Sequence, residues 1–368
     1  MKLVFFSGGM NRSGGTERVL SEIANSLASR GYEVVIVSLT GESRSFYSID
    51  ERIKMYWIGA KGFTKGILKS LKMLRRIVKD EKPDIWIDVD IILCFYSLPV
   101  RGIRHRFKLI SWEHFNHNSS FEQNTNLRKI AKKLVTSKSD CMLVLSKDDE
   151  KYYRENYKIK NRLCQIYNPT TFEKLPEKTD EEKLIFAAGN IVPVKGFDEL
   201  VNIWAILENK FPEWRVEIAG QGEEKEKLER IAENKGLKRI HFIGRVENIS
   251  EYYRKAAIYV MTSRCEGFPM VVLEAMAFSL PIVAFEEKTC VNEMVVDNES
   301  GMLVKERSAE TFAEKLEILM RNDDFRQKMG KAAKDQSVGC VVFAIILLFV
   351  FKEEDLNFLS FKTAKKDE

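Results

Sequence analysis

Short β-rich runs alternate with amphipathic helical stretches along most of this chain, and that alternation constrains its fold more than any other feature. In the first half the runs lie at 2–6, 33–39, 84–88, 107–112, 141–146 and 163–168. Between the first two, Val19, Leu20, Ile23, Ala24 and Leu27 recur at helical spacing, and Gly31 stands where that helix should close. The pattern restarts at Leu184, with runs at 184–189, 214–220, 239–244, 257–263 and 281–285. Helices are expected at 197–210, 223–235, 269–279, 308–320 and 322–334. Strand, helix, strand is the signature of a parallel sheet covered on both faces. The reading is therefore α/β, with two Rossmann-like domains at 1–170 and 183–336. A polar linker at 171–182 follows Asn168-Pro169. Two such domains facing each other are expected to bind ligands in the cleft where their strand C-termini meet.

Residues 337–368 break the pattern. The stretch 338–351 holds no charged residue, yet it is shorter than the roughly 18–20 residues that span a bilayer. It reads as a buried segment, a membrane-dipping one or the product of an altered reading frame.

Charge narrows the partners. The net charge of +5 is unevenly spread: residues 1–170 hold 30 Lys and Arg against 18 Asp and Glu, while the remainder holds 29 against 36. A basic front half points to an anionic surface. Its basic stretches lack interleaved aromatics, which disfavours nucleic acid. One of them, 64–79, sets Ile67, Leu71, Leu74 and Val78 on one face and Lys65, Lys69, Lys72, Arg75, Arg76 and Lys79 around the rest. Such a helix suits an anionic membrane surface, and equally a core-packed helix with a solvated face. Arg101 to Lys108 adds four more cations. The six cysteines include no C-x-x-C, so neither a disulfide scaffold nor a zinc site is expected. The opening apolar run ends at Gly8-Gly9, too short for a signal peptide, so the expected location is cytoplasmic, with peripheral attachment to the membrane's cytoplasmic face compatible with the basic helix.

Two segments carry chemistry, and a third has only the look of it. Gly14-Gly15, at the expected start of a helix, let a ligand approach the backbone closely, and the amides there favour an anion. A plain strand-to-helix turn explains the glycines equally well. The loop is neither a Walker A sequence nor G-x-G-x-x-G, so hydride transfer has little support. The segment 263–277, S-R-C-E-G-F-P-M-V-V-L-E-A-M-A, places Glu266 on a loop and Glu274 within the helix that Pro269 should open. Its leading amides suit a phosphate, and each carboxylate accepts hydrogen bonds from sugar hydroxyls. The blander reading makes Glu266 a cap and Glu274 a solvated face residue. Asp88-Val89-Asp90 forms D-x-D, a pattern that binds manganese in some enzymes, and is taken as coincidence.

Together these residues resemble the family 4 retaining glycosyltransferases of GT-B fold, over about residues 1–335. The spacing of Glu266 and Glu274 within its surrounding segment resembles the family's E-x7-E. G-G-T-E-R-V-L (14–20), W-E-H-F-N (112–116) and V-P-V-K-G-F-D (192–198) are similar to its first loop, histidine-bearing loop and phosphate-clamp loop. The resemblance implies transfer of a sugar from a nucleotide diphosphate, UDP before GDP, to a saccharide or lipid-linked saccharide hydroxyl, with retention and without a metal or other cofactor. Bacterial exopolysaccharide, capsule or lipopolysaccharide synthesis is the implied setting. Glu266, His114 and Lys195 would be catalytic. Gly14, Gly15, Asn190, Lys195, Gly267, Phe268, Met270, Val271 and Glu274 would bind the donor, with Glu274 on the ribose. The second histidine nearby, His117, has weaker support. Asn190 stands where the family usually has an arginine, with Arg12 and Arg264 as cations to make up for it. The usual Gly-Pro before Glu293 is absent, and the tail does not read as the family's returning helix. Those departures keep open an alternative, a non-catalytic or degenerate sugar-nucleotide binder.

Overall fold

A computed structural model describes residues 1–41, 44–63, 66–102, 105–118, 126–169, 181–286 and 290–337. They fall into two compact units, one within residues 1–169 and one within 181–337. Most of the linker and nearly all of the tail, 338–368, lie outside the described residues, as do Lys65, Arg104 and 287–289.

The first unit runs β1 (Lys2–Gly9), α1 (Gly15–Ser29), β2 (Glu33–Thr40), β3 (Lys54–Trp57), α2 (Ile67–Glu81), β4 (Ile85–Asp88), α3 (Cys94–Val100), β5 (Lys108–Trp112), α4 (Asn126–Lys138), β6 (Cys141–Val144), α5 (Lys147–Asn156) and β7 (Arg162–Gln165). The seven strands form one parallel sheet in the order β3-β2-β1-β4-β5-β6-β7. Strand order reverses between β1 and β4, so the loops after those strands flank a switch point. The interiors of β1 and β2 are buried on both faces, which is why they read as continuous apolar runs. Gly31 does close α1, with φ near +85° just past its end.

The second unit runs β8 (Leu184–Ala188), α6 (Phe197–Leu207), β9 (Arg215–Ala219), α7 (Lys225–Asn234), β10 (Ile240–Gly244), α8 (Ile249–Lys255), β11 (Ile258–Met261), α9 (Met270–Ala277), β12 (Ile282–Phe285), β13 (Gly301–Val304), α10 (Ala309–Arg321) and α11 (Asp323–Ser337). Its six-stranded parallel sheet has the order β10-β9-β8-β11-β12-β13, with the switch between β8 and β11. Successive residues of β8 alternate between two cores. Ile185 and Ala187 pack with Trp204 and Trp214, while Leu184, Phe186 and Ala188 pack with Tyr253 and Phe278. Burying each large side chain stabilises the unit by about 1.5–3 kcal/mol.

The expected strands are all present. Two more join them: β3, a half-exposed edge strand, and β13, of four residues. Helices α3, α4, α5 and α8 also go beyond the sequence reading. Pro269 precedes α9 as its N-cap rather than lying in its first turn. In α2, Leu74 and Val78 are buried and Ile67 and Leu71 pack against the core of their unit. The apolar face of that helix is thus consumed by the fold. Lys69, Lys72, Arg75, Arg76 and Lys79 stay exposed, joined by Leu68. No helix among the described residues is long and apolar enough to cross a membrane.

Candidate functional site

The loops after β8 and β11, the two strands beside the switch point of the second unit, are stitched together at several points. The Arg264 amide donates to the Val194 carbonyl at 2.7 Å, and the Thr262 hydroxyl to the Lys195 carbonyl at 3.2 Å. Gly196 makes that approach feasible. Its φ is near +65°, and a Cβ there would lie 2.1 Å from the Thr262 carbonyl oxygen. Charges complete the seam. The Arg264 guanidinium grips Asp198 with Nη1 at 2.9 Å and Nη2 at 2.7 Å, and reaches Glu199 at 2.8 Å. Arg307, stacked over the Phe285 ring, takes Glu199 at 2.7 Å and donates to the Ser263 carbonyl at 2.8 Å. This two-pronged pairing holds Asp198 below the usual carboxylate range against the opposing effect of burial.

The seam brings Lys195 and Glu266 together. Lys195 Nζ donates to Glu266 Oε1 at 2.6 Å, both side chains being largely shielded from solvent. Glu266 is therefore not a helix cap; α9 has no side-chain cap. Gly267 follows, its carbonyl taking the Cys290 thiol at 2.8 Å, and then Phe268, which is buried. Met270 and Val271 are the first residues of α9, whose leading amides a helix leaves without an internal acceptor. One turn on, Glu274 is 1% exposed and accepts from the Tyr253 hydroxyl at 3.0 Å, which excludes a solvated-face role. Asn190 is exposed at the start of the loop after β8. Arg264, held by two carboxylates, is tied into the fold rather than left to stand in for the arginine that Asn190 replaces.

In the first unit, Gly14 caps α1 and Gly15 opens it. The Glu17 carboxylate folds back over Gly14, 2.2 Å from where a Cβ would stand, and Arg12 lies 3.8 Å from it. His114 follows β5 and is buried, its ring 4.2 Å from that of Trp112 with Nε2 covered and without a hydrogen-bond partner. Burial, and secondarily the Arg128 charge, push its pKa down to about 3, so the imidazole is neutral. Its neighbours are pinned from behind. Arg128 Nη2 donates to Glu113 Oε1 at 2.7 Å and lies 3.1 Å from Asp90, and Tyr153 donates to Glu113 Oε2 at 3.2 Å. His117 is structural: its Nδ1 meets Asp149 at 2.8 Å and its ring stacks on Tyr152. The two aspartates of D-x-D face different partners, Asp88 taking Ser97 and Trp86 and Asp90 taking Arg128. Sequence reasoning missed Tyr253, Arg307 and Arg128, and gave no role to Asp198 and Glu113 within the motifs that hold them. Each reaches its partner from a distant stretch of chain.

Comparison with known proteins identifies the family. The family model for glycosyl transferases group 1 matches residues 169–336, and that for Glycosyltransferase Family 4 matches residues 13–174. An uncharacterized glycosyltransferase of Haemophilus influenzae is 34% identical over 340 residues, covering 90% of this chain and 94% of the relative. A Campylobacter jejuni relative is 27% identical over 350 residues, covering 91% of this chain and 93% of its own. It is named GalNAc-alpha-(1->4)-GalNAc-alpha-(1->3)-diNAcBac-PP-undecaprenol alpha-1,4-N-acetyl-D-galactosaminyltransferase. Among solved structures, a variant of S. aureus TarM in complex with Fondaparinux, alpha-GlcNAc-glycerol and UDP superposes with a TM-score of 0.83 at 16% identity, over 98% of this chain and 100% of that one. The fold is of the GT-B class. The chain belongs to the family 4 glycosyltransferases, and it is a glycosyltransferase.

Proposed function

We propose that the protein is a retaining glycosyltransferase that moves a sugar from a nucleotide diphosphate, UDP before GDP, to a hydroxyl of a saccharide or lipid-linked saccharide during bacterial surface-polysaccharide assembly. One observation carries this reading: the contact of Lys195 with Glu266 at the mouth of α9, with Glu274 buried one turn further along. An ammonium, two carboxylates and a helix start are the groups that a diphosphate, a hexose and a ribose require. The Campylobacter relative, named for an undecaprenol-linked saccharide, and the UDP complex of TarM favour the same donor and acceptor classes.

In the proposed reaction the bond from the sugar's anomeric carbon to the diphosphate breaks while a bond from the acceptor oxygen forms on the same face. The departing diphosphate takes the acceptor's proton. Lys195 and the amides of Met270 and Val271 meet the charge that builds on the diphosphate, in place of a metal ion. Asn190 adds an amide donor to the same group, and Gly14 and Gly15 present the start of α1 to the donor. Glu266 holds the sugar, with Gly267 and Phe268 lining its pocket, Glu274 holds the ribose, and neutral His114 hydrogen-bonds a reacting hydroxyl. The exposed cations of α2 favour peripheral contact with an anionic cytoplasmic membrane face through charge, since its apolar face is spent on the core. A mass-spectrometric screen of purified protein against UDP- and GDP-sugars with lipid-linked and free saccharides tests the proposal. A glycosylated product with the donor's anomeric configuration is expected. Nucleotide binding without any transfer supports instead a sugar-nucleotide binder, the reading that Asn190 in place of the family's arginine favours.

A further inference from the structure

Tyr253 is absent from every motif that drew attention in the sequence, yet it sits beside the most buried carboxylate of the site. It comes from α8, is fully buried, and its ring is fixed on several sides. Phe278 stacks at 5.4 Å, Phe186 packs edge-on at 5.3 Å, and Tyr259 lies at 5.9 Å. Tyr259 in turn bonds through its hydroxyl to the Ala188 amide at the end of β8. The aromatic cage is thus anchored to the strand that leads into the Lys195 loop. A ring held this way delivers its hydroxyl to one place. That place is Glu274 Oε2, at 3.0 Å, with the Val271 carbonyl more distant at 3.4 Å. A phenol has one proton to donate, and the nearer acceptor takes it.

We infer that Tyr253 is a positioning residue for nucleotide recognition, fixing the orientation of the Glu274 carboxylate so that it meets the ribose hydroxyls of the donor. Carboxylate torsions in glutamate are soft, and a hydrogen bond to one oxygen sets the direction in which the other faces. The inference rests on the proposed ribose role of Glu274, and it deepens that role by assigning the group that aims it. Its signature is selective. Loss of the hydroxyl should weaken only nucleotides that carry the hydroxyls Glu274 is aimed at.

The test is calorimetric titration of the wild type, Tyr253→Phe and Glu274→Ala with UDP and with 2′,3′-dideoxy-UDP, running GDP and its dideoxy analogue alongside. Tyr253→Phe keeps the ring and its packing. Its binding of UDP or GDP should weaken about five-fold to ten-fold, the worth of one hydrogen bond, with the dideoxy nucleotide bound as tightly as by the wild type. In the transfer assay the same variant should raise the donor KM and leave kcat within about two-fold. Equal weakening of both nucleotides, or no weakening of either, overturns the inference while leaving the ribose role intact. If Glu274→Ala still prefers UDP over its dideoxy analogue as strongly as the wild type does, the ribose role itself is wrong and the inference falls with it. Thermal denaturation separates these results from misfolding, since Tyr253→Phe should shift Tm by only a few degrees.

Discussion

At the scale of single residues, burial sets the protonation of two groups in the first unit, with opposite signs. His114 has its pKa pushed down to about 3 by burial and by Arg128, so it should show no titration between pH 5 and 8. With four histidines in the chain, the imidazole resonances can be followed one by one in an NMR titration. A midpoint near the ordinary value of 6.5 at His114 would contradict its neutral role. Asp88 runs the other way. Burial lifts its carboxyl from 3.8 to about 8, against the hydrogen bonds from Ser97 and Trp86. The folded state therefore keeps a proton that the unfolded chain releases, and stability is lost as pH rises from about 4 to about 8. Asp88→Asn should remove that slope, so urea midpoints of wild type and variant should converge near pH 4 and separate towards pH 8, with the variant the more stable. Parallel curves would show Asp88 to be ionised throughout. Neither state was legible in the sequence. D-x-D gives two carboxylates and no hint that one lies buried against Ser97, a helix away, while the other pairs with Arg128.

At the scale of elements, the loops after β8 and β11 act as one unit because a glycine and two arginines join them. Gly196→Ala should cost about 2 kcal/mol or more, since the new methyl meets the Thr262 carbonyl in a backbone region that alanine avoids. The variant should also lose donor affinity more than ten-fold by separating Lys195 from Glu266, measured by thermal denaturation and UDP titration together. Unchanged affinity would show that the seam is not what places the pair. Arg264→Ala leaves Asp198 with no partner across the seam but spares the contact of Arg307 with Glu199. Its effect on UDP binding should be smaller than that of Gly196→Ala, and binding of uridine, which lacks phosphates, should be unaffected. Elements were legible where burial imposes a period. β1, β2 and α1 carry it in their apolar residues. In α5, KDDEKYYREN, only Asp149 and Tyr153 are buried, so no apolar stripe exists to be read. β3 escaped for a related reason: as a half-exposed edge strand it needs no apolar run. The site was legible where one short segment carries it, as 263–277 does. Tyr253 and Arg307 were not, because contacts across 21 and 108 residues leave no local pattern.

At the scale of the whole molecule, the chain forms two doubly wound parallel sheets, each with its own switch point and its own set of candidate groups. The second unit carries the lysine, the two glutamates and the helix start that together suit an activated sugar. The first carries the glycine-opened helix, the buried histidine and the cationic face of α2. The proposed mechanism requires Lys195 and Glu266, paired with each other in the fold, to part and take the donor's diphosphate and its sugar. Steady-state transfer from the nucleotide sugar found in the screen, compared for wild type, Lys195→Ala and Glu266→Ala at equal folded fractions, tests it most directly. Each variant should lose at least about a hundred-fold in kcat/KM. Rates within a few-fold of the wild type in either variant would contradict it.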